Sequence, residues 1–143
     1  MSACAISQGL INNLSATSVI GSCQVGTNWS VLETTSACCA VVTFIGLESV
    51  PWALNNQHER TYRHRIFLYV KDRGGNGLLL EPDSQALFDT AVCSIETDRT
   101  MQGDIDIREV VGISGTRDPE NSLEIGGANW FETQIVTSIT EWP

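Results

Sequence analysis

The sequence predicts an α+β fold, a mainly antiparallel sheet of about four strands or more with two helices packed on one face. Three observations carry this. Two segments repeat apolar residues at the helical spacing, whereas others are β-branched runs or alternate at the strand period. The elements run helix, strand, strand, helix, strand, strand, which suits helices gathered on one side of an antiparallel sheet. At 143 residues the chain has the size of one domain, so residues 1–143 are read as a single unit.

Ile6, Leu10, Ile11 and Leu14 recur at helical spacing and predict a short amphipathic helix over residues 4–14, in spite of Gly9. Ser15 to Thr35 is rich in Ser, Thr, Gly and Asn and receives no element. Cys38 to Ile45 is a β-branched run suited to a strand buried on both faces, and Pro51 with Asn55, Asn56 and Gln57 marks the loop after it. In the next strand Tyr62, His64, Ile66, Leu68 and Val70 share one face, and Arg63, Arg65, Phe67, Tyr69 and Lys71 the other. Gly74-Gly75-Asn76-Gly77 is a turn signal.

Asp83 or Ser84 is placed to cap a helix over residues 83–98, whose Leu87, Phe88, Ala91, Val92 and Ile95 form one apolar face. Ile105, Ile107, Val111 and Ile113 alternate with Asp104, Asp106 and Arg108 and predict a third strand, although Glu109 interrupts its apolar face. Trp130 to Trp142 is mostly β-branched or aromatic and predicts a long terminal strand, with Phe131, Thr133, Ile135, Thr137 and Ile139 on one face.

Composition excludes several classes of function. A hydrophobic fraction of 42% and a charged fraction of 17% fit a chain that folds around a core. The longest apolar stretch, Ala37 to Leu47, is about half of the roughly 20 residues that a membrane helix needs, so no span is expected. No Lys or Arg precedes Arg60, so the first residues do not read as a signal peptide, and the protein is expected to stay where it is made. Five irregularly spaced cysteines argue for reduced thiols over a disulfide framework. A net charge of −9 opposes binding to DNA, RNA or an anionic membrane. All eight basic residues lie between Arg60 and Arg117, and the tail from Asp118 onward has five carboxylates and no base. That asymmetry predicts an acidic surface formed by the C-terminal part.

No constellation of catalytic or metal-binding type stands out. Gly112-Ile113-Ser114-Gly115 lacks the last glycine of a nucleophile elbow and reads as a turn or bulge late in a strand. Arg73 to Gly77 lacks the Lys-Ser or Lys-Thr of a phosphate loop. Cys38 and Cys39 are adjacent, so a strand sends them to opposite faces and they cannot ligate one zinc together. His64 reads as a strand residue, not a ligand or general base. Asp104, Asp106 and Glu109 fit strand alternation better than a calcium loop. The basic run from His58 to Arg65 reads as a solvated strand face or an ion-pair surface between subunits. No cofactor, no metal and no enzymatic activity are expected.

With enzyme signals absent, the order of elements becomes informative. The strand Cys39-Ala40-Val41-Val42-Thr43-Phe44 is followed by the alternating Arg65-Ile66-Phe67-Leu68-Tyr69-Val70. The helix Leu87 to Ile95 then runs into Thr100-Met101-Gln102-Gly103, ahead of the strands Ile105–Ile113 and Trp130–Trp142. From Cys38 to Pro143 this arrangement resembles the tail-terminator proteins of long-tailed bacteriophages. The resemblance implies a structural virion protein, assembled in the host cytoplasm, that forms a homohexameric ring. Such a ring ends tail-tube growth and joins the tail to the head connector, and DNA passes through it without specific binding. On that expectation Arg60, Arg63, Arg65, Phe67 and Tyr69 are candidates for a surface that meets a neighbouring subunit, the tail-tube protein or the connector. Asp104, Asp106 and Glu109 are candidates for an acidic lumen that repels DNA phosphates. Other readings are a head-completion or neck protein, a non-viral protein-binding module whose basic strand face meets an acidic ligand, and a hydrolase using Ser114.

Overall fold

A computed structural model describes residues 3–17, 19–26, 38–51, 57–72, 80–97, 111–125 and 128–141. The order is α1 (Ala3–Ser15), β1 (Ser22–Val25), β2 (Cys38–Pro51), β3 (His58–Lys71), α2 (Leu80–Thr97), β4 (Val111–Ile125) and β5 (Ala128–Glu141). The strands form one five-stranded sheet in the order β1-β2-β3-β5-β4. β1 pairs with β2 in parallel, and every other pairing is antiparallel. The fold is therefore the α+β class expected from the sequence, with β1 added inside the segment that received no element.

Both helices lie on one face. Ile6, Leu10 and Leu14 of α1 and Leu87, Ala91 and Ile95 of α2 are fully buried in one cluster with Ala40, Val42, Tyr62, Ile66, Leu68, Val70, Ile135 and Ile139. The i, i+4, i+8 spacing in each helix puts three side chains on one stripe, and the strand period sends alternate β2, β3 and β5 residues to meet them. Each fully buried Leu or Ile contributes about 1.5–3 kcal/mol, enough to hold a short helix that would fray alone in water. The helices also touch each other: the Ser94 hydroxyl donates to the Asn13 carbonyl at 2.8 Å, near the end of α1.

Several boundaries differ from the sequence expectation. α2 starts at Leu80, so Asp83 and Ser84 lie within its first turns and do not cap it. Pro82 sits where the backbone N–H groups have no intrahelical partner, so it fits inside the helix start. β2 runs on to Pro51, well beyond Ile45, and only Cys39 to Val42 are buried; the strand is not buried on both faces along its length. β4 covers Val111–Ile125, so Gly112 to Gly115 is regular strand opposite Ile135 to Ser138, not a turn. The irregularity in that pairing comes later, between Arg117 and Ser122. The proposed strand residues Ile105 and Ile107 lie outside the described residues.

Candidate functional site

The face of the sheet opposite the helices carries Arg63, Arg65, Phe67 and Tyr69 of the side chains singled out in the sequence. Its interior end is a second apolar cluster in which Cys39, Val41, Tyr69 and Trp130 are buried and Phe67 packs against them. Cys38 packs into the helix-side core instead, so the adjacent cysteines do face opposite ways. Phe67 and Tyr69 stack with ring centroids 6.3 Å apart. The Tyr69 hydroxyl donates to Glu132 Oε2 at 3.0 Å, and Gln134 Nε2 donates to Glu132 Oε1 at 3.1 Å. This places a carboxylate in a largely buried position on β5, opposite Tyr69 in the strand register. The alternation Trp130, Glu132, Gln134 carried the signal for this group, since a polar residue there shares its face with a buried tryptophan.

Of the five candidate contact residues, Tyr69 is fully buried within its own chain and cannot form part of an exposed surface. Phe67 and Arg65 are half-buried. Arg65 stands between Thr43 and Val136 across the sheet, and its Nε is buried without a hydrogen-bond partner. Arg63 is exposed and pairs with Glu48 of the adjacent strand at 3.4 Å. An exposed pair of this kind contributes about 0–1 kcal/mol, so Arg63 stays available to a partner. Arg60 is exposed but lies on the other face, in phase with Tyr62 and His64. The basic run is thus split between the two sides of the β2–β3 hairpin. Asp104, Asp106 and Glu109 lie outside the described residues. The backbone of Ser114 faces Val136 in the β4–β5 pairing.

On the helix side, one pair was not anticipated. His64 Nε2 lies 2.9 Å from Ser7 Oγ and 3.3 Å from the Ala3 carbonyl, and the Ser7 hydroxyl donates to the same carbonyl at 2.9 Å. With the serine proton committed to Ala3, both His64 contacts are acceptors, which assigns the proton to Nε2 and leaves Nδ1 bare. Nδ1 is buried without a hydrogen-bond partner. Burial lowers the His64 pKa below its usual 6.5, opposed by the hydrogen bond to the Ala3 carbonyl. The Phe44 ring lies against the imidazole at 5.3 Å. The distances are those of a nucleophile–base pair, yet Ser7 is 7% exposed and His64 0% exposed, so neither meets a substrate. The pair fastens α1 to β3.

No disulfide joins the five cysteines, and among the described residues no group of three or more His, Cys, Asp or Glu side chains is placed to hold a metal ion. Burial pushes the Cys23 thiol up to about 12, which makes it a packing group with no nucleophilic character. No described helix is long and apolar enough to cross a membrane.

No protein-family model matches the sequence, and no curated protein matches it significantly.

Proposed function

We propose that the protein is a non-enzymatic structural component of a long-tailed phage virion, a tail terminator that assembles into a homohexameric ring at the head-proximal end of the tail. The observation that carries this reading is the asymmetry of the sheet. Two helices seal one face over the core, while the outer half of the β2–β3 hairpin keeps Phe44, Ile45, Leu47, Val50, Arg60 and Arg63 at the surface. Such a layout fits packing against other copies better than a free monomer, because contiguous exposed apolar surface is uncommon on monomeric proteins. The net charge of −9 supports the same reading, since an acidic ring repels DNA phosphates and lets the genome slide through.

In this arrangement the tail-tube protein and the head connector are the partners, and Arg60, Arg63, Arg65 and Phe67 supply contacts to a neighbouring subunit or to one of them. Size-exclusion chromatography with light scattering, followed by negative-stain imaging, tests the ring. A purified protein that stays monomeric at every concentration overturns it. Arg63→Glu and Arg65→Glu separate the possible roles: salt-sensitive loss of rings marks a subunit contact, whereas intact rings that no longer cap tail tubes mark a tube contact. Screening over a Debye length of about 10 Å at 0.1 M salt makes the ionic contribution measurable.

A further inference from the structure

Among the described residues, β2 has a neighbour on its outer side for less than half of its 14 residues. β1 pairs with Ser22 opposite Cys39 through Val25 opposite Val42, and Gly26 N–H closes the ladder on the Val42 carbonyl. From Phe44 to Pro51, β2 bonds to β3 on one side and to no strand of the described residues on the other. This free stretch exposes Phe44 by 44%, Ile45 by 41%, Leu47 by 53% and Val50 by 49%. Soluble sheets usually guard a free edge with charge, proline or brevity. Here Glu48 is the one charged residue of the segment, paired with Arg63, and its one proline, Pro51, stands at the far end.

We infer that β4 of a second copy pairs with the Phe44–Pro51 edge, head to tail, so that the sheet continues from one subunit into the next. This rests on the self-assembling reading above and names the elements that meet. Among the described residues the sheet ends on two unlike edges, outer β2 and β4, so each copy offers one while receiving on the other. Contacts of that heterologous kind close into rings when the rotation between successive copies closes, and otherwise run on as filaments. β4 offers an unbroken run of seven paired residues, Val111–Arg117, ahead of its irregularity, nearly the length of the free stretch. β4 carries Asp118, Glu120 and Glu124 against the single Arg117, while the receiving hairpin sets Arg60 and Arg63 against Glu48 and Glu59, so the acidic strand meets a balanced edge that does not repel it.

The test compares the full chain with Leu47→Lys and Val50→Lys, both at exposed positions, by light scattering, circular dichroism and hydrogen exchange. Each lysine should weaken assembly at least about tenfold while the melting curve stays as in the wild type. In the wild type, amides of Thr43–Pro51 and of Val111–Ile125 should both gain protection on assembly. A wild type that never assembles overturns the ring reading and this inference together. If the wild type assembles and neither lysine weakens it, or if protection rises at only one of the two edges, the edge pairing is wrong and the ring reading stands.

Discussion

His64 makes the stability of the fold depend on pH in a direction fixed by its surroundings. The imidazole is fully buried, its Nε2–H is shared between Ser7 and Ala3, and no acceptor stands beside Nδ1 for the N–H that protonation would create. Burial lowers its pKa from 6.5, and the hydrogen bond to the Ala3 carbonyl offsets only part of that cost. As pH falls through 6.5 the unfolded chain therefore takes up the proton first, and stability declines until the folded-state pKa is passed. One differential proton gives a slope of at most about 1.4 kcal/mol per pH unit in that window. Urea denaturation between about pH 7.5 and about pH 5, on the wild type and on His64→Gln, isolates the contribution, because glutamine keeps an N–H donor and does not titrate. The variant should be weaker than the wild type at neutral pH, by about 1–3 kcal/mol, and flatter with pH. Equal slopes in the two proteins below pH 6.5 would refute the reasoning.

Other expectations follow from packing and from the thiols. Leu87→Ala, which removes a fully buried side chain from the α2 stripe, should cost about 2–5 kcal/mol in denaturant unfolding. Tyr69→Phe leaves the ring stack with Phe67 but removes a hydrogen bond to a carboxylate, and should cost about 1.5–3 kcal/mol by the same assay. Neither reductant nor chelator should lower the melting temperature, because no disulfide joins the five cysteines; a large drop with either would show a bond or metal that the fold depends on.

Much of the architecture was legible because periodicity reports burial. The α1 and α2 stripes and the alternation of β3 and β5 place the same residues in the core that the structure does. The differences have physical causes. β1 is four residues of mixed polarity, and a parallel pairing confined to Cys39 to Val42 leaves no alternation to read. β2 misled because an apolar run signals burial only if something covers it, and past Val42 the helices and β1 no longer do. The basic cluster looked like one surface because it is contiguous in sequence, whereas a strand divides it between two faces. The Ser7–His64 contact joins residues 57 apart, a pairing that no local pattern encodes.

The register of β2 on β3 suggests how a sheet with such an edge avoids endless growth. Phe44 lies opposite His64 and Gly46 opposite Arg63, so Ile45 is an extra residue, a bulge at the point where β1 stops covering the strand. Bulges bend and twist an edge, which limits the approach of another strand to one curvature. Deleting Ile45 keeps the pairs on either side, including Leu47 with Tyr62, and removes a side chain that is 41% exposed, so the fold should lose at most about 1 kcal/mol. The straightened edge should then pair with less selection of angle, replacing closed particles with larger and more heterogeneous ones. Light scattering on matched concentrations of the wild type and the deletion reads this directly. Particles of unchanged mass, with a melting curve close to the wild type, would show that the bulge plays no part in limiting assembly.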